Sequence, residues 1–180
     1  MLSCLTTTLA FTGESTGHTW IVLGIAAVTT LACVGLHYET IRLLVKTLHR
    51  ETARRSRPVL IVTVLILLII HLIEAAIFAL AYRVVFLIYP DAGSTLVGPY
   101  DGSFGDTLYF SLSVYTTVGF GDIAPLGPVR LLVGIEALAG LVLITWSASF
   151  TFLIMQRIFS RDFKNEPTSA ASKHRFKRPF

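Results

Sequence analysis

The chain has 180 residues, 53% hydrophobic and 14% charged, with 15 Lys and Arg against 11 Asp and Glu. That balance is too apolar and too poor in charge for an ordinary soluble domain, so a membrane is the expected solvent. The two cysteines, Cys4 and Cys33, stand far apart and suggest neither a disulfide framework nor a zinc site, which leaves both with structural roles.

Residues 1–19 lack the basic first segment of a signal peptide, and the apolar stretch starts only at Trp20, so this N-terminus is expected to be retained outside the membrane. A membrane helix needs about 20 mostly apolar residues to cross about 30 Å of hydrocarbon. Residues 20–36 carry no charge, and helical periodicity continues through Leu43, Leu44 and Leu48, giving a first span over 20–48. Pro58 suits the first turn of a second helix over 59–89, because a proline there sacrifices no helical hydrogen bond, and Pro90 closes it. The third span, 129–159, follows Pro125, Gly127 and Pro128. Residues 160–180 are polar and basic, expected to be disordered and too few to fold as a regulatory domain.

Charge orients these spans. Lys and Arg are absent from 1–41 and 84–129, but crowd 42–57 (Arg42, Lys46, Arg50, Arg54, Arg55, Arg57) and the tail from Arg157. Both clusters mark the cytoplasmic side, so three crossings place the N-terminus outside and the C-terminus inside, in a plasma or cytoplasmic membrane. Nucleic acid is not an expected partner, because the basic residues flank apolar spans instead of interleaving with aromatics on a folded face. The loop between the second and third spans holds Asp91, Asp101, Asp106 and Asp122 and no basic residue, a mouth that would concentrate cations. Within it Phe104, Leu108, Phe110, Leu112 and Val114 are apolar, yet Ser111, Ser113, Thr116 and Thr117 make the stretch too short and polar to span. It is read as a re-entrant helix over 103–115, with Asp101 and Ser103 as capping candidates.

Next comes Thr116-Thr117-Val118-Gly119-Phe120-Gly121-Asp122. This segment, 116–122, resembles the selectivity filter of the tetrameric potassium channels, departing only where Phe120 replaces a tyrosine and loses its phenol hydroxyl. A bare K⁺ needs several oxygen ligands in place of water, and a strand of successive inward carbonyls supplies them. Gly119 and Gly121 can adopt positive φ at little steric cost, so that alternation with Val118 and Phe120 lets adjacent carbonyls point the same way. Irregular backbone at membrane depth is tolerated where protein buries it or it lines water, and one loop per chain requires other copies to close a ring. The resemblance covers residues 59–159 and implies a homotetramer, K⁺ held at Thr117, Val118, Gly119 and Phe120, and Thr116, Asp122, Ser113 and Glu136 as filter support. The first span is an addition to the minimal two-helix pore subunit, and its default role is a lipid-facing brace on the second.

Other residues carry competing readings. Gly140 resembles the hinge glycine of the family's inner helix, but with Gly134, Ala137 and Ala139 it equally suits close helix packing. Ile144, Ala148 and Phe152 share its face and are candidates for cavity and gate, with Ser147 and Thr151 as the alternative face. Glu136 is expensive in a span unless paired, and Ser113 or Thr116 are its expected partners. Arg83 is expected to snorkel, and one arginine is no voltage sensor. His71 and Glu74, three apart on one helix face, suit a mutual hydrogen bond or a proton-sensitive switch. Only His37 and Glu39 could join them as metal ligands.

The sequence thus predicts an all-α membrane protein with three transmembrane helices, a re-entrant pore helix and a filter per chain, conducting K⁺ passively as a homotetramer. No cofactor is expected beyond K⁺ as permeant ion, and no nucleotide motif is present. The rival readings are a weakly selective Na⁺/K⁺ channel, an intramembrane His/Glu metalloenzyme and a non-conducting partner subunit.

Overall fold

A computed structural model describes residues 2–51, 56–90 and 95–165, with side chains described over 19–47, 58–90 and 95–160. Asp91, Arg54, Arg55, the Cys4 side chain and residues 166–180 of the tail lie outside these. In chain order the elements are α1 (Leu2–Glu51), α2 (Ser56–Ile88), β1 (Thr95–Val97), α3 (Phe104–Tyr115), β2 (Ala124–Leu126) and α4 (Val129–Asn165). Three stretches within them are long and apolar enough to cross a membrane, Thr19–Thr47, Pro58–Ile88 and Val129–Ser160.

Helix boundaries follow the breakers. No proline precedes Pro58, so α1 runs from Leu2 instead of starting near residue 20, and the expected separate segment 1–19 is helical from its second residue. α4, the third span, continues past 159 to Asn165, because the next helix-breaking residue is Pro167. The all-α expectation needs one correction: β1 and β2 pair antiparallel, with Thr95 opposite Leu126, Leu96 opposite Pro125 and Val97 opposite Ala124. These residues sit in proline- and glycine-broken loops that cannot be helical, and pairing satisfies their backbone groups.

The three long helices pack on one another, and the short α3 is held between α2 and α4. Phe78, Tyr82 and Val85 of α2, Phe110 and Val114 of α3, and Leu132 and Leu143 of α4 form the main core. A second cluster, Ile41, Leu44, Leu67, Ile70, Ile154 and Ile158, joins α1, α2 and α4 lower down. α1 therefore packs on α4 as well as on α2, more than a brace on one helix. In the apolar 18-residue window of each span only 22–28% is buried within the chain, so most of the apolar surface must be covered by lipid or by further copies. Ile61, Leu65, Leu68, Ile69 and Leu72 of α2 illustrate this outward apolar face.

Candidate functional site

The start of α3 is built by local hydrogen bonds. Ser103 is the N-cap, its Oγ accepting from the Asp106 amide at 3.1 Å. Asp101 Oδ1 accepts from the Ser103 amide at 2.7 Å, and Asp106 Oδ2 accepts from the Asp101 amide at 2.9 Å. The Ser103 amide, with the Ser103 side chain and Asp106 behind it, holds the Asp101 carboxyl below its ordinary range. Both capping candidates are thus engaged, and the helix starts one residue later than expected, at Phe104. Arg83 does not simply extend to an interface, since its Nη1 donates to the Gly102 carbonyl at 3.0 Å and ties α2 to this cap.

α3 ends at Tyr115, with Thr116 as C-cap and its Oγ1 donating to the Leu112 carbonyl at 2.7 Å. From there the backbone alternates. Thr117, Gly119 and Gly121 have φ of 59°, 55° and 81°, and none of the intervening residues has positive φ. For the glycines this region is nearly free, whereas for Thr117 it is strained by roughly 1–2 kcal/mol. The segment is held by its amides, which point back at α3: Thr117 N–H donates to the Val114 carbonyl (2.8 Å), Gly119 N–H to the Ser113 carbonyl (3.0 Å) and Phe120 N–H to Ser113 Oγ (3.3 Å). Among the described residues, the carbonyls of Thr117, Val118, Gly119 and Phe120 accept no hydrogen bond, and residues 116–122 are exposed in the single chain. Such a row of unclaimed acceptors is chemically suited to ligate a hard cation.

Asp122 closes the segment. Its Oδ2 accepts from the Tyr109 hydroxyl at 2.9 Å, and that bond holds the Tyr109 phenol above its ordinary value. The Tyr109 ring stacks on Phe120 with centroids 6.0 Å apart and planes within 4°. Tyr109 thus fastens both Phe120 and Asp122 to α3, a role the sequence reading missed, because a tyrosine in the middle of α3 carries no distinctive signal of a partner beyond the helix.

Glu136 is fully buried behind α3, as a paired carboxyl, but its partners differ from those expected. Ser111 Oγ lies 2.5 Å from Glu136 Oε1 and 2.7 Å from the Ala75 carbonyl, and the Tyr82 hydroxyl donates to Oε2. Ser113 and Thr116 are turned to the 116–122 segment and to α3 instead, because Ser111 lies on the α3 face toward α2 and α4. Gly140 packs hard against α3, where an added Cβ would stand 2.1 Å from the Tyr115 oxygen, which is the close-packing reading of that glycine. Ile144 is half-buried, whereas Ala148 and Phe152 are exposed in the single chain. The alternative cavity face fails at Ser147, which is buried and hydrogen-bonded within the chain.

Ser147 belongs to a second polar cluster that joins all four helices. Glu74 Oε1 pairs with His37 Nδ1 at 2.9 Å, and Oε2 with His71 Nδ1 at 3.0 Å. The Tyr115 hydroxyl donates to Glu74 Oε2 and lies 2.9 Å from His71 Nδ1. Ser147 Oγ lies 3.0 Å from His71 Nε2 and 3.3 Å from His37 Nε2, and Trp146 packs on the His37 ring at 5.4 Å. Of the four residues considered as metal ligands, His37, His71 and Glu74 are brought together. Glu39 is not, since it is half-exposed and paired with Arg42 at 3.1 Å. Cys33, buried beside this cluster, donates weakly to the Glu74 carbonyl at 3.9 Å, in keeping with a structural role.

The ion channel family matches residues 65–157, more than half of the chain. The inward rectifier potassium channel Kirbac3.1 of Paramagnetospirillum magnetotacticum is 31% identical over 110 residues, which cover 55% of this chain and 35% of that protein. The chain therefore spans about a third of the length of this curated relative. No solved structure matches.

Proposed function

The chain belongs to the ion channel family, and from that premise we propose that it is the subunit of a passive, potassium-selective channel in which four copies surround a pore lined by Thr117, Val118, Gly119, Phe120 and Gly121. The observation that carries this reading is the alternation of positive φ at Thr117, Gly119 and Gly121, with the carbonyls between α3 and Asp122 left unclaimed. Four such strands would offer rings of carbonyl oxygens able to replace the water of K⁺. The C-terminal end of α3 would aim its partial negative charge at the ion. Likeness to an inward rectifier potassium channel supports K⁺ as the permeant ion.

Around this pore, Ser113 and Tyr109 hold the filter from the side of α3, and Glu136 with Ser111 and Tyr82 forms the packed layer behind it. The inner helix α4 lines the pathway below, with Ala148 and Phe152 as the open positions. The N-terminus lies outside and the C-terminus in the cytoplasm, as the basic clusters require.

The test is ion flux and bilayer current from the purified protein in liposomes under opposed K⁺ and Na⁺ gradients. Reversal at the K⁺ equilibrium potential is the expected result. Reversal midway between the K⁺ and Na⁺ potentials would favour a weakly selective cation channel, and absence of current would overturn conduction by this chain alone.

A further inference from the structure

His37, His71 and Glu74 form the one group of three metal-ligating side chains found among the described residues, with a donor atom of each within 4.8 Å of the others. His37 lies on α1, outside the family-matched residues 65–157, so the cluster joins the additional helix to the pore portion of the chain. One feature of its geometry points to a ligand. The Nδ1 atoms of both rings converge on the two oxygens of a single carboxylate at 2.9 and 3.0 Å. In a tetrahedral zinc site, bonds of about 2.0–2.1 Å set neighbouring donors about 3.3 Å apart; the two nitrogen–oxygen separations are within tenths of an ångström of that, and all three donors lie within 4.8 Å of one another.

The proton inventory of the cluster is compatible with a bound cation. If both neutral rings donate from Nδ1 to Glu74, both Nε2 atoms are bare acceptors, and the single hydroxyl hydrogen of Ser147 can serve only one of them. One proton shared by the pair of rings, or a cation, supplies what this arrangement lacks. With a cation on the two Nδ1 atoms, each neutral ring carries its proton on Nε2 instead, and Ser147 Oγ has two lone pairs to accept both. No net proton is lost, and every ring nitrogen is satisfied. Each ligating histidine then has the hydrogen-bonded outer partner that metal sites generally require.

We infer that His37, His71 and Glu74 bind one divalent cation of the zinc class per chain, through the two Nδ1 atoms and a Glu74 oxygen, with Ser147 orienting both rings. The mixed imidazole and carboxylate set suits Zn²⁺ over Mg²⁺ or Ca²⁺, which take oxygen ligands. The Tyr115 hydroxyl lies beside these donors, 2.9 Å from His71 Nδ1, and Tyr115 is the last residue of α3, immediately before Thr116 and Thr117. Occupancy would clamp α1 and α2 to the end of α3, making the site regulatory for conduction, not catalytic.

The experiment uses untagged full-length protein in detergent, stripped with a chelator and titrated with Co²⁺ as a spectroscopic probe. A visible ligand-field band of tetrahedral Co²⁺, saturating at one ion per chain and displaced by Zn²⁺, is expected. His37→Asn and His71→Asn, which keep a hydrogen-bonding group near the Nδ1 position and should elute as the same oligomer, are each expected to lose the band. Ser147→Ala is expected to retain it with affinity weaker by about 10–100-fold. No saturable band in the native protein, or an undiminished band in either histidine variant, would overturn the site. The readout is independent of ion flux, so a protein that binds Co²⁺ without conducting would count against the pore reading alone.

Discussion

Gly140 of α4 lies so close to Tyr115 of α3 that an added Cβ would stand 2.1 Å from the Tyr115 oxygen and 2.9 Å from its carbonyl carbon. Backbone, not a flexible side chain, occupies that space. Gly140→Ala is therefore expected to push α3 and α4 apart and to destabilise the protein by about 1–3 kcal/mol, the range of overpacked cores. Gly134→Ala on the same helix meets nothing within 4 Å and is expected to be neutral or slightly stabilising. Thermal midpoints in detergent, compared for the two variants, check this. Equal midpoints would remove the packing role of Gly140.

Gly119 differs, because its added Cβ would meet nothing within 4 Å while its φ is +55°. The penalty of Gly119→Ala is conformational, about 1–2 kcal/mol in each copy, and relief requires the backbone to leave the alternating pattern. Loss of K⁺ conduction with normal membrane insertion is expected. Retained K⁺ selectivity in liposomes would exclude residues 117–121 from the conduction pathway.

Ser111 is the hydroxyl shared between Glu136 and the Ala75 carbonyl. Ser111→Ala leaves one oxygen of a fully buried carboxyl without its partner, for an expected loss of about 1–3 kcal/mol. Tyr82→Phe removes the other partner, and because both act on one carboxyl, the two losses should be non-additive. A double-mutant comparison of thermal midpoints measures this, and strict additivity would show that the two hydroxyls act independently.

The Tyr109 phenol is held above its ordinary value by its bond to Asp122. A raised phenol binds its proton more tightly in the folded chain, so its contribution is fully present below the unfolded value of about 10 and fades as pH rises through the folded value. Asp101 has the opposite sign. Its carboxyl is held low by the Ser103 amide, so its contribution is present above the unfolded value of about 4 and fades as pH falls through the folded one. Protection factors at the first turn of α3, taken against intrinsic exchange at each pH, are expected to fall on the acid side in the native protein. Asp101→Asn should flatten that acid limb, and Tyr109→Phe should flatten any alkaline change around Asp122 while leaving the ring stack on Phe120 in place.

Much of this protein is written in local sequence. Uninterrupted apolar runs bounded by Pro58, Pro90 and Pro128 determined the three spans, because the bilayer demands about 20 apolar residues whatever their neighbours. Ser103, three residues before Asp106, marked the start of α3 to within a residue, since an N-cap is a contact between near neighbours. Gly119 and Gly121 marked where backbone could turn to positive φ, although Thr117, which shares that conformation, carries no such mark. Partners across the fold were not legible. Glu136 reached Ser111 and Tyr82 instead of Ser113, His71 and Glu74 gained His37, Tyr115 and Ser147, and Gly140 met a backbone carbonyl. These contacts join residues 25 to 76 positions apart. Which face of each helix turns inward depends on how four helices pack at once, and period alone does not determine that rotation.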